Sequence, residues 1–208
     1  SPQCPADGLS GHAGPRLRMP ARPAEHLLRA DDPLAAQAFA DAARRALADH
    51  QPDTAASLAE RGSRARPAAS VRATLEILRG DALRAMGRSA QALEVLHGAM
   101  AMDLDAAQMS QARLACVEVF RTTADYEQAH AMLNEAERDA REGGAASELA
   151  RIQNLRGNLL FGQGRGEECL AAHELAMAAA RLAGDPTETM RAHSGLGDAY
   201  YASGRIAP

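Results

Sequence analysis

Aromatic residues make up only 3% of this 208-residue chain, and tryptophan is absent. A core with so few rings must be filled by smaller side chains. Lysine is absent too, so all 23 basic residues are arginine. A Walker A phosphate loop needs a lysine after its last glycine, and the missing lysine excludes one. With acidic residues interleaved throughout, the arginines read as a composition bias rather than a dedicated binding surface. Cysteine is scarce: Cys4, Cys116 and Cys169 are odd in number and far apart, which excludes a disulfide framework and zinc-type spacing. That usage fits a reducing compartment, and a cytoplasmic location is expected. No apolar run approaches the roughly 18 to 20 residues of a membrane helix. The opening stretch "SPQCPADGLSGHAGPRLRMPARP" lacks the apolar centre of a signal peptide. A net charge of -4 offers no basic surface, so no direct contact with nucleic acid is expected.

What the chain has is alanine and leucine, which lose little side-chain freedom in a helix. Residues 1–23, rich in Pro, Gly and Arg, read as a linker or disordered tail. From Ala24 onward the pattern is helical, and it repeats. "LRGDALRAMGRSAQALEVLHGAM" (Leu78 to Met100) aligns with "LRGNLLFGQGRGEECLAAHELAM" (Leu155 to Met177) and with "LGDAYYASGR" (Leu196 to Arg205). A more degenerate copy, "VEVFRTTADYEQAHAMLNEA", lies between the first two, and a fifth precedes them all. Equivalent positions fall at 43, 80, 117, 157 and 197, with spacings of 37, 37, 40 and 40.

The recurring residue types describe a helical hairpin. Gly80 marks a close approach in the first helix, and Gly87 the turn, where a positive φ is free for glycine. Ala92, Leu96 and Ala99 share one face of the second helix at i, i+4 and i+7. One hairpin cannot bury both of its faces, so hairpins must stack into a solenoid.

These motifs resemble the tetratricopeptide repeat, over roughly residues 36–208. The resemblance implies an all-α, right-handed α-solenoid of stacked antiparallel hairpins. Repeats are expected at about 36–69, 73–106, 110–146, 150–186 and, truncated, 190–208. Two departures stand out. The aromatic usual early in the first helix is replaced by Glu76, Arg113, Gln153 and His193, and the repeat-closing proline appears only as Pro67. The long spacings resemble the extended subclass, with its "GDP" connector at Gly184-Asp185-Pro186. The segments "AEHLLRADDPLAAQAFADAARRAL" and "LRGNLLFGQGRGEECLAAHELAMAAARLAGDPTETMRAHSGLGDAYYASGR" also resemble the C-terminal repeat regions of large bacterial signalling proteins. Those carry a nucleotide cyclase or LuxR-type DNA-binding domain with an ATPase module. The chain lacks an initiator Met and stops at "GRIAP", which reads as a piece of such a longer protein.

The glycines at 162, 164 and 166 have the look of a phosphate loop, but helical pattern lies on both sides of them and similar glycines recur in other repeats. Cys169 and His173 are spaced for metal ligation, yet Cys169 holds a packing slot and a structural zinc needs four ligands. Asp103 with Asp105, Glu135 with Glu137, and Glu167 with Glu168 read as solvated faces. No catalytic residue, cofactor or metal site is expected.

The remaining candidate is the inner face of the first helices. It carries Arg44, then Asp81, Arg84, Glu118, Arg121, Arg151, Asn154, Asn158, Phe161, Arg191, Asp198 and Tyr201. Arginine can grip a carboxylate and asparagine can pair with a peptide backbone. The expected function is non-catalytic docking of a peptide or a neighbouring domain. The alternatives are a regulatory arm of a cyclase or ATPase enzyme, or of a transcriptional regulator. An ordinary solvated face, with pairs such as Asp81 to Arg121, would leave no site.

Overall fold

A computed structural model describes residues 34–203, together with Ala24 and His26. The expected 1–23 tail and the turn residues Gly204 and Arg205 lie outside the described residues. Among those described, every regular element is a helix: α1 (Ala35–Ala48), α2 (Pro52–Arg64), α3 (Ala69–Ala85), α4 (Ser89–Met100), α5 (Ala106–Thr122), α6 (Tyr126–Glu142), α7 (Ala146–Gly162), α8 (Gly166–Ala183) and α9 (Pro186–Ala202). They form the hairpins α1–α2, α3–α4, α5–α6 and α7–α8, with α9 laid against the last. Successive first helices (α1, α3, α5, α7, α9) touch one another down the stack, whereas no two second helices do. The stack therefore curves with the first helices on its inner side. This is the all-α solenoid expected from the repeats.

The turn inside each hairpin uses one left-handed residue: His50 (φ 55°), Gly87 (φ 73°), Ala124 (φ 58°) and Gly164 (φ 71°). Two of the four positions tolerate a Cβ there, at a cost of roughly 1–2 kcal/mol each. The helix ends have local causes. Asp105 caps α5 through a reciprocal capping box with Gln108. Asp185 caps α9, accepting from the amides of Thr187 (2.9 Å) and Glu188 (3.0 Å), with Pro186 in the first turn. Gly184, at φ 64°, ends α8.

The close-approach glycines obey steric arithmetic. A Cβ on Gly80 would lie 2.6 Å from Cγ of Leu96 on α4. One on Gly157 would lie 2.6 Å from Cδ2 and Cε1 of His173 on α8. Gly197, in the same register on α9, meets nothing within 4 Å. The contact on α9 is made by Gly195 instead, whose Cβ would lie 2.5 Å from Nε2 of His173.

The missing aromatics have polar replacements that tie helices together. Glu76 accepts from Ser63 of α2 at 2.8 Å. Arg113 pairs with Asp139 and Glu135 of α6. Gln153 donates to Glu137 of α6 at 3.1 Å. Glu137 also pairs at 2.5 Å with both Arg141 and Arg156. Burial would raise the Glu137 pKa, but hydrogen bonds from the two arginines outweigh it and hold the carboxyl below its ordinary value.

Core composition changes along the stack. Phe39, Leu75 and Leu78 anchor the first cluster, and Leu96, Leu114, Leu133, Ile152 and Leu159 belong to the large central one. Around α8 and α9 it divides into two small clusters, one built on Cys169 and Leu160, the other on Ala176 and Met177.

Candidate functional site

The inner surface holds a groove with a cavity of about 810 Å³. α3 contributes Asp81 and Arg84, and α5 contributes Glu118. α7 contributes Arg151, Asn154 and Asn158, and α9 contributes Arg191 and Asp198. Residues at i, i+3 and i+7 share a helix face, which is how Arg151, Asn154 and Asn158 come to point the same way. Eight of the twelve sequence-predicted positions thus meet in one cavity. Arg44, Arg121, Phe161 and Tyr201 do not line it. Phe161 (47% exposed) and Tyr201 (76% exposed) sit on open surface. Arg121 closes an in-helix pair with Glu118 at 2.9 Å, and Arg44 does the same with Asp41 at 2.7 Å.

The groove charges pair mostly along helices. Asp81 lies 3.6 Å from Arg84 rather than pairing with Arg121. Burial pushes the Asp81 carboxyl above its ordinary pKa, while Arg84 and then Arg151 pull it back. Nε of Arg84 is buried and has no hydrogen-bond partner. Arg151 makes no hydrogen bond or ion pair with any described residue and acts on Asp81 only through space. Asn158 is exposed, and no hydrogen bond to its side chain occurs among the described residues.

Asn154 is different, although it lies one turn from Asn158. It is only 4% exposed. Its Nδ2 donates to Oε2 of Glu188 at 3.0 Å and to the Glu188 carbonyl at 3.3 Å. Its Oδ1 faces Nδ1 of His173 at 3.4 Å. Glu188, itself 5% exposed, accepts in turn from Arg191. Asn154 therefore holds the groove floor rather than presenting itself to a partner.

Glu188, Leu47, His50 and Ser194 line the cavity without having stood out in the sequence, and His173, which stood out there only for its spacing from Cys169, lies against Asn154 of the groove floor. One signal was present: His173 takes the slot that Leu96 and Leu133 fill in the aligned second helices.

The other chemical candidates resolve into structure. Asp105 is a helix cap, and Glu168 pairs with Arg165 at 2.5 Å. Gly164 is a left-handed turn residue, and a Cβ on Gly162 would press on the Tyr126 hydroxyl at 3.3 Å. Cys169 is fully buried, and burial raises its thiol pKa, the opposite of what a nucleophile or metal ligand needs. Cys116 is pushed up to about 12 by burial, with Asp81 adding to the effect. Among the described residues no three His, Cys, Asp or Glu side chains are grouped to hold a metal, and no helix is long and apolar enough to cross a membrane.

Residues 148–208 match the family model described as tetratricopeptide repeat. No curated protein matches the chain. In fold it is similar to BtubC (BKLC) from P. vanneervenii, with a TM-score of 0.69 and 16% identity, covering 89% of this chain and 83% of that one. It is similar also to MamA from Desulfovibrio magneticus RS-1, residue 41 to the end, with a TM-score of 0.54 and 18% identity over 82% of this chain and 86% of that one. The MamA RS-1 ArsTM double mutant gives 0.51 and 16%, over 81% and 94%. At such identities the likeness is one of fold. The chain is thus an all-α solenoid whose hairpin stack runs from Ala35 to Ala202, and its residues 148–208 match the tetratricopeptide repeat family.

Proposed function

We propose that this chain is a non-catalytic docking module that takes a peptide, or a neighbouring domain of its own parent protein, in the groove of its first helices. The carrying observation is the set of polar groups there that the fold leaves unused. Buried polar atoms are nearly always paired, and the Nε–H of Arg84 has only Oδ1 of Asp81 at 3.6 Å, too long for a hydrogen bond, so it has room for a closer acceptor from outside. Arg151 stands beside it with no partner of its own, and Asn158 offers one amide donor and one acceptor to a peptide bond. A concave face is the surface that stacked repeats use for binding. Asp198, also unpaired among the described residues, gives the far end of the groove a negative charge. The groove is therefore bipolar and suits an extended segment with an acidic group near α3 and a basic one near α9.

Selection of a random peptide-display library on the 208-residue chain tests the reading. Selected peptides should bind the wild type and lose affinity about tenfold or more, equivalent to about 1.4 kcal/mol, when Arg151→Ala and Asn158→Ala are combined. Peptides that bind the double variant as well as the wild type would overturn it.

A further inference from the structure

His173 occupies a position that the two preceding hairpins fill with Leu96 and Leu133 and the first with Ala59, and the structure has been cut around it. The ring is only 1% exposed. Gly157 of α7 and Gly195 of α9 close on it, and a methyl group on either would collide with the ring. No single-atom change at one site would build this seat. It takes a glycine on each of two helices in addition to the histidine.

The ring's tautomer follows from its neighbours. Glu188 is an acceptor, so the Asn154 amide must turn its NH2 toward that carboxylate. Its Oδ1 is then left to face His173, and Nδ1 must carry the proton that bridges them. In the neutral ring Nε2 keeps its lone pair, and it has no hydrogen-bond partner among the described residues. A continuous chain results: His173 on α8, Asn154 on α7, then Glu188 and Arg191 on α9. It joins three helices, and its far end is in the groove.

We propose that His173 is the positioning residue that fixes α9, and with it the α9 wall of the groove, and that protonating its ring releases that helix. The inference holds whatever occupies the groove. A second proton would sit on Nε2 between two glycines, with nothing to accept it. The charged groups facing the ring come from α9: Asp198 directly, and Glu188 with Arg191 through Asn154. α7 presents the uncharged Asn154 and Gly157. Burial holds the imidazole below its ordinary value of 6.5, and the Asp198 charge offsets this only in part. The sign follows. Above pH 6.5 the ring is neutral whether α9 is docked or not. As the pH falls below 6.5 the undocked state takes up a proton that the docked state refuses, so docking weakens until the pH reaches the docked ring's own pKa.

Hydrogen exchange on the 208-residue chain reads this out, with protection factors corrected for intrinsic rates at pH 7.5 and pH 5.5. Protection of α9 amides should fall about tenfold, the factor set by one pH unit below an open-state pKa near 6.5. Amides in α3 to α5 should hold. His173→Gln keeps a neutral donor toward Asn154 and should leave α9 docked with no such pH dependence, and His173→Leu should also be flat. His193→Gln, on exposed α9 surface, should retain the full wild-type response. If His173→Leu does not fold, the glutamine variant and the wild-type ring titration carry the test. Flat wild-type protection, an imidazole titrating at its ordinary value, or an unchanged acid loss in His173→Gln would each overturn the proposal.

Discussion

Hairpins α3–α4 and α7–α8 share one frame and fill it differently. In each, a glycine on the first helix admits a side chain from the second, sixteen positions later: Leu96 against Gly80, His173 against Gly157. The leucine sits in a pocket with one glycine wall and belongs to the large central core. The histidine has glycine on both sides, and the core around it breaks into small clusters. The difference teaches that the repeat frame specifies a hole more strictly than its contents. An apolar occupant adds cohesion, whereas a polar one wires the interior to the groove.

The comparison breaks most sharply at the glycines. Gly157→Ala should be the most damaging change, because Gly195 bars the rigid ring from retreating. Overpacking of this kind costs about 1–3 kcal/mol, or several degrees in melting temperature by calorimetry. Gly80→Ala should cost less, since Leu96 has no second glycine behind it and its branched end can turn. Ala92→Leu should fall in the same 1–3 kcal/mol range, as Ala92 is fully buried where α4 meets the core. An unchanged melting point there would mean that the repeat register is misassigned. The sign then reverses. Ala124→Gly should stabilise by about 1 kcal/mol, because φ of 58° strains a Cβ but not a glycine. Gly197→Ala, in the register of Gly157 but meeting nothing, should stabilise by roughly 0.5–1 kcal/mol through helix propensity. A methyl group that harms at 157 and helps at 197 would separate register from contact.

The glycine and alanine register was legible in the sequence because steric exclusion repeats wherever two helices meet. So was the cluster of Asp81, Arg84, Glu118, Arg151 and Asp198, since helix periodicity alone carries them to one face. Gly197 shows the limit: the pattern places the glycine, but contact depends on what packs against it, and nothing among the described residues comes within 4 Å. Asn154 shows another. Periodicity puts it on the groove face with Asn158, while its burial depends on Glu188, 34 residues away, reaching back to it. The bridges of Glu76, Arg113 and Gln153 were equally hidden, because a polar residue in an aromatic slot reads as an omission until its partner across the helix gap is known.

Asn154 and Asn158, one helical turn apart, put the central claim to its most direct test, which is melting temperature and selected-peptide affinity measured side by side for Asn154→Ala and Asn158→Ala. The account predicts that Asn154→Ala leaves Oε2 of the buried Glu188 carboxylate without its donor and lowers the melting temperature by several degrees, in line with a cost of about 1–3 kcal/mol. Asn158→Ala should leave melting unchanged and weaken peptide binding severalfold. Equal melting losses in the two variants, or full peptide affinity in Asn158→Ala, would contradict a fold that holds Asn154 for itself and leaves Asn158 for a partner.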